Sequence, residues 1–76
     1  MKHKYKAEYK VCMVDFPEGV IEERFFTKGD VEAKSLADGS LRERLVEREN
    51  LVGTSISRVT LVTLSRVEDT KHFRLL

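Results

Sequence analysis

Lys4-Tyr5-Lys6-Ala7-Glu8-Tyr9-Lys10-Val11-Cys12-Met13-Val14 alternates without a break: Tyr5, Ala7, Tyr9, Val11 and Met13 occupy the odd positions, and Lys4, Lys6, Glu8, Lys10 and Cys12 stand between them. A period of two sends alternate side chains to opposite faces of a sheet, so this stretch is a strand with one buried face and one largely wetted face. Its regularity suits the centre of a small α+β domain.

Outward from that strand, Asp15-Phe16-Pro17-Glu18-Gly19 combines Pro, which fixes φ, with Gly, which permits positive φ, and reads as a hairpin loop. Val20 to Thr27 follows as a second strand rich in branched and aromatic residues. Ile21 and Phe25 share one of its faces, and Val20 and Phe26 the other. Gly29 reads as a bulge or bend, after which the strand resumes through Val31 and Ala33. Ser35 with Asp38, and Ser40 with Glu43, are two competing helix starts. Leu36, Ala37, Leu41, Leu45 and Val46 form an apolar stripe at helical spacing, predicting one helix from Leu36 to Glu49 with a kink or fraying at Gly39. Asn50 and Gly53 supply its terminal turn chemistry.

Ile56 to Val67 is a third strand dominated by β-branched residues. Val59 and Leu61 point one way, and Val62 and Leu64 the other, so it is apolar on both faces unless a bulge corrects the phase or the tail covers one side. Lys71 to Leu76 alternates enough for a short fourth strand or a docked tail, with Phe73 and Leu75 inward. A right-handed crossover helix then allows the third strand to lie antiparallel beside the first. The expected architecture is a single α+β domain spanning residues 1–76: a three- to four-stranded antiparallel sheet in the order 2-1-3, with a short C-terminal strand at most added, and one helix on the face of Tyr5, Ala7, Tyr9, Val11 and Met13.

Composition narrows the function classes. Of 76 residues, 41% are hydrophobic and 36% charged, which suits one soluble domain with little disorder. The single Cys12 has no partner for an intramolecular disulfide, pointing to a reducing compartment, and the cytoplasm is expected. No apolar run approaches the roughly 18 residues of a membrane span, and MKHKYK leads into a strand rather than a signal-peptide core. Net charge is only +1, but it is unevenly spread. Four lysines precede Val11, whereas seven acids lie between Asp15 and Asp38. Hairpin pairing would set lysines of the first strand beside glutamates of the second, and such pairs contribute roughly 0.2 to 1 kcal/mol each.

Candidate chemistry is sparse. His3 and His72 read as surface histidines near the two ends, and Cys12 as a partly buried thiol without a histidine beside it. Glu22 and Glu23 are adjacent in a strand and face opposite ways, so they do not form a carboxylate pair. One cysteine and two distant histidines have no metal-ligand spacing. No enzyme, metal, cofactor or small-molecule site is therefore expected. The helix-free face offers more: Lys4, Lys6, Lys10 and Cys12, flanked by Val62 and Leu64, are the expected contacts for a protein partner or for a second copy of the chain. A nucleic-acid surface built from Lys2, Lys4, Lys6 and Lys10 is the alternative, weakened because Tyr5 and Tyr9 point away from those lysines.

At Glu32-Ala33-Lys34-Ser35-Leu36, followed by Ile56-Ser57-Arg58-Val59, the chain resembles small phage-encoded accessory proteins, including host-inhibitor and anti-CRISPR types. In these an N-terminal hairpin runs through an E-A-x-S-L strand-to-helix junction and returns as an I-x-x-V strand. The resemblance implies a non-enzymatic protein that binds a host macromolecule and blocks it. It carries over no binding residue, and Gly39 departs from the good helix former usual at that point.

Overall fold

The computed structural model describes residues 1–14, 18–53, 56–68 and 71–76. Strand β1 (His3–Met13) pairs antiparallel with β2 (Gly19–Thr27) on one side and with β3 (Ile56–Glu68) on the other, and β3 carries the short β4 (Lys71–Arg74), giving the order β2-β1-β3-β4. The alternating N-terminal stretch is thus the strand paired on both edges, as its regularity predicts. Two helical segments, α1 (Asp30–Asp38) and α2 (Ser40–Leu51), lie across one face. Of the expected hairpin loop, Asp15, Phe16 and Pro17 fall outside the described residues.

The helix begins six residues earlier than its apolar stripe predicts. Strand β2 does not resume through Val31 and Ala33; Gly29, extended at φ −171° and ψ 178°, ends it, and α1 starts at Asp30. Asp30 and Glu32 place negative charge in the first turn, where the unpaired N–H groups of a helix favour it. Ala33 and Ala37 then fall one turn apart on the buried side, while Val31 is left in solvent. Ser35, read as an N-cap, is an exposed residue inside α1. Gly39 divides the two segments, so the kink expected there is a full joint. The Gly39 amide donates to the carbonyls of Ser35 and Leu36, and its own carbonyl accepts from the Glu43 amide, so little backbone bonding is lost at the bend. A Cβ on residue 39 would stand 3.1 Å from the Ser35 carbonyl oxygen, which is why the tight joint carries none. Beyond α2, Gly53 takes φ +88° and its amide donates to the Asn50 carbonyl, a left-handed helix terminus that favours glycine.

The pattern of β3 is resolved by two bulges. Leu64 lies opposite Ala7 and Thr63 opposite Glu8, but Tyr9 faces Leu61, so Val62 is an extra residue in the ladder. Further along, Cys12 faces Arg58 while Met13 faces Ile56, which makes Ser57 a second extra residue; its hydroxyl donates to the Cys12 carbonyl at 3.0 Å. The phase shifts bring Ile56, Val59, Leu61 and Leu64 all to the helix side. Leu64 is 0% exposed and belongs to the core, which corrects its placement on the open face; Val62, 46% exposed, remains there. The tail follows the same logic. Phe73 and Leu75 share the helix-side face, and Leu75 packs on the core, but Phe73 lies beyond the helix and stays exposed beneath the Arg66 guanidinium, 5.1 Å from its ring centroid.

The core is built on Tyr5, Ala7, Tyr9 and Val11 from β1, Ala33 and Ala37 from α1, Leu45 from α2, and Val59 and Leu64 from β3. Tyr5 stacks on Phe25, its partner across the β1–β2 ladder, with centroids 5.7 Å apart. Both tyrosines reach through the core to the helix: the Tyr5 hydroxyl donates to the Asp30 carboxylate at 2.6 Å, and the Tyr9 hydroxyl to the Ala37 carbonyl. Burial, reinforced by these neighbours, pushes both phenols up to about 12: Asp30 adds to it at Tyr5, and Asp38 and Glu23 at Tyr9.

Two measurements check this account. Leu64→Ala lowers stability by about 2 to 5 kcal/mol, the range for a buried leucine, whereas Val62→Ala two residues away changes it by no more than about 0.5 kcal/mol; comparable losses in urea denaturation would place the phase of β3 differently. Tyr5→Phe and Tyr9→Phe each cost about 1 kcal/mol or somewhat more. A tyrosine in the unfolded chain ionises near pH 10, so the unfolded state sheds phenolic protons that the folded state keeps. Stability is therefore intact below about pH 10 and falls as pH rises towards about 12. Denaturation midpoints across that interval decline less steeply in either Phe variant than in the wild type.

Candidate interaction surface

With both helical segments on one side, the other face of the sheet carries no covering element among the described residues. Its centre is Lys4, Lys6, Glu8, Lys10 and Cys12 of β1, as alternation predicts. The ladders add Phe26, Arg24, Glu22 and Val20 from β2, each directly opposite Lys4, Lys6, Glu8 and Lys10 in turn. From the other side come Val67, Ser65, Thr63, Thr60 and Arg58 of β3, and His72 and Arg74 of β4. Lys2 precedes β1 and is exposed. Of the residues expected to make contacts, the fold gathers Lys4, Lys6, Lys10, Cys12 and Val62 on this face and withdraws Leu64. His3 belongs to β1 itself, with Nδ1 3.5 Å from the Glu68 carboxylate, and is not a free terminal residue.

The expected neutralisation of lysines by β2 glutamates is present, though diagonal. Directly opposite positions carry like charges, Lys6 with Arg24 and Glu8 with Glu22. One pair crosses the two strands, Lys6 Nζ lying 3.8 Å from Glu22; the others lie within β1 (Lys6 Nζ to Glu8, 3.5 Å), within β2 (Arg24 Nε to Glu22, 2.7 Å) or join Lys10 Nζ to Glu18, just before β2, at 2.8 Å. The hydrogen bond from Arg24 holds the Glu22 carboxyl below the usual carboxylate range, and Glu18 holds Lys10 above the usual lysine range. Such exposed pairs add little stability. Their effect is to leave the middle of the face close to neutral. Lys4, Arg58 and Arg74 make no ion pair among the described residues.

Apolar side chains interrupt this charged field. Val20 and Phe26 are 67% and 63% exposed, and together with Val62 they stand on the same face as the paired charges. Val62 and Val20 line a shallow groove of about 240 Å³ with Glu8, Lys10, Glu18 and Gly19. Val20 and Phe26 were assignable to this face from the β2 alternation. Their importance was not, because their neighbours on the open face depend on the β1–β2 register. Arg58 was hidden more deeply, since its face depends on the two bulges in β3.

On the helix side, a hollow of about 660 Å³ runs beside α2 between Val46 and Leu51 and is ringed by Asp38, Arg42, Glu43 and Glu47. It is a groove along one helix with no converging catalytic groups. Glu23 faces this side, accepting a hydrogen bond from Arg48 that ties β2 to α2 and holds the arginine above its usual range. Glu22 and Glu23 therefore serve opposite faces, as their adjacency implies. Among the described residues, no three His, Cys, Asp or Glu side chains converge on a common point.

Fold and surface together define a small α+β domain whose sheet is covered by helix on one face and, among the described residues, carries no covering element on the other. No family model, curated protein or solved structure gives a significant match to the chain.

Proposed function

We propose that this chain is a small non-enzymatic binding protein, acting in the cytoplasm as a homodimer, that works by protein–protein contact through its helix-free sheet face and strand edges. The observation that carries the reading is the combination of exposed Val20, Phe26 and Val62 with charges that are already paired among themselves. Val20 and Val62 line one groove and form a small apolar patch, with Phe26 set apart from them beyond Glu22 and Arg24; exposed apolar surface of this kind supports an interface. Lys6, Lys10 and Arg24 are neutralised by Glu8, Glu18 and Glu22, which gives that patch a polar rim; the positive charge left over on this face among the described residues lies with Lys4, Arg58 and Arg74. Among the described residues no helix is long and apolar enough to cross a membrane. The resemblance to small phage-encoded accessory proteins favours a host macromolecule as the partner, inhibited by occupation of its surface.

Nucleic acid is the second reading, favoured by Lys4, Arg58 and Arg74, which have no acidic partner among the described residues, and by Lys2, Lys6 and Lys10 nearby. The described strands offer two aromatic rings on this face, Phe26 on β2 and His72 on β4, held apart by β1 and β3. Sheet platforms stack successive bases on two or three such rings.

The test compares the wild type with a Val62→Glu/Cys12→Glu variant, which charges the open face of β1 and β3 away from the outer edge of β2. Tagged wild-type protein recovered from its native host retains a stoichiometric protein partner; the folded variant loses it, and anisotropy titrations with labelled DNA and RNA at low salt show no binding. Binding to nucleic acid that weakens steeply as salt rises would replace this reading with the second one.

A further inference from the structure

Among the described residues nothing pairs with the outer edge of β2, and that edge is unusual in being left fit for pairing. Its nine residues run against β1 with no register shift and contain no proline. Sheet edges in monomeric proteins are commonly blunted by bulges, prolines, short length or charged side chains; of these β2 has only the charges Glu22, Glu23 and Arg24, which are of both signs and can be matched across a strand pair. The opposite side of this sheet is blunted by short length and bulges: β4 is four residues long, and β3 carries two bulges.

We propose that β2 pairs with β2 of a second copy of this chain, antiparallel, about a two-fold axis through Glu23. This rests on the homodimeric reading above and deepens it by assigning the edge, the register and the contacts. A two-fold axis perpendicular to the sheet brings together residues of the same face, so each candidate axis passes through a residue of β2. With the axis at Glu23, Glu22 lies opposite Arg24 of the second copy and Arg24 opposite its Glu22, giving two ion pairs on the open face. Val20 meets Phe26 of the second copy, twice, and these are two exposed apolar side chains of that face. On the helix side Ile21 meets Phe25, joining the partly buried residues that flank each core. Cross-strand pairs of these kinds are the stabilising units of a sheet.

Neighbouring registers fail by the same criteria. An axis at Glu22 sets Glu22 against its own copy and Val20 against Arg24, and an axis at Arg24 sets two guanidinium groups together and Glu22 against Phe26. The central charges therefore disfavour slipped pairing and admit one register. Its single like-charged contact, Glu23 against Glu23 on the axis, is offset because each carboxylate holds the Arg48 guanidinium of its own α2. The product is one continuous sheet with four strands from each copy, both helix pairs on one side, and the two open faces merged into a single surface.

Sedimentation velocity and light scattering over a concentration series, with charge reversal and cysteine cross-linking, decide the matter. The wild type has twice the 8.8 kDa mass of one chain. Glu22→Arg alone and Arg24→Glu alone place like charges opposite each other at two sites and weaken the dimer about tenfold or more, while the Glu22→Arg/Arg24→Glu double variant recovers it. In a Cys12→Ser background, Glu23→Cys forms a disulfide-linked dimer under mild oxidation, because residues facing across an antiparallel pair are about 4.5 to 5.5 Å apart at Cα. Val20→Cys alone, several residues from its own copy, does not. Circular dichroism confirms that each variant is folded. A wild type that stays monomeric at every attainable concentration overturns the proposal. A dimer indifferent to both single reversals, or one that cross-links at Val20→Cys and not at Glu23→Cys, also overturns it, as does pairing of β2 with a strand of another protein in preference to itself. A monomeric wild type would also remove the homodimer from the proposed function, whereas contact with a partner through the open face is tested separately by the Val62→Glu/Cys12→Glu variant.

Discussion

Two phenol groups hold the layers of this protein together. Tyr5 and Tyr9 leave the central strand on the same side, bury their rings completely, and end in hydrogen bonds at opposite ends of α1, one at its first residue and one near its last turn. A buried hydroxyl without a partner carries a desolvation cost of about 1 to 3 kcal/mol. The helix must therefore sit where both groups are satisfied, and a sliding or rotated helix would strand at least one of them. Apolar packing alone is less exacting, because Ala33 and Ala37 present small surfaces that tolerate several positions. The tyrosines give the sheet and helix one relative placement, and the identity of the open face follows from it.

Around that clamp the structure divides its labour by strand. β1 supplies the core and the centre of the open face, β3 closes the core with four apolar residues brought into phase by its bulges, and β2 contributes less to the core than either. Ile21 and Phe25 are only partly buried, and the link from β2 to the helical layer is the Glu23–Arg48 ion pair. A strand so placed keeps its remaining side chains for outward contacts. Val20, Glu22, Arg24 and Phe26 are all exposed on one face, and the outer backbone edge beside them has no partner strand among the described residues.

Much of this was legible in the residues. The period-two run in β1, the branched and aromatic content of β2 and β3, and the handedness of the crossover led to the strand order and to the buried tyrosine face. Three features were not legible, each for a physical reason. The start of α1 was obscured because Gly29 resembles a bulge and Val31 and Ala33 fit a continued strand as well as a helix; the acidic first turn at Asp30 and Glu32 was the signal that separates the two. The kink at Gly39 was legible, but the Leu36 to Val46 stripe did not show that it divides the helix into two segments, since a bent helix can keep the same face towards the sheet. The inward direction of Leu64 could not be read at all from β3 by itself. A bulge is a property of two strands, and which residue is extra depends on what the neighbour offers opposite it. The open face suffered from the same limit: Lys4, Lys6, Lys10 and Cys12 came from one strand's alternation, while Arg58 joined them only through pairing and the position of Phe26 beside Lys4 depends on register.

The central position of β1 also orders events in time. Its partner β2 is a short hairpin away, but its other partner begins at Ile56 and extends until Val67 stands beside Lys4. Closing that second ladder spans most of the chain, and contacts of such separation are formed late and slowly. Until then the strand with the best-formed alternation has an open edge, and Tyr5 and Tyr9 lack the neighbour that completes their burial. A chain with only the β1–β2 ladder closed would therefore leave one edge of its most strongly patterned segment without a partner.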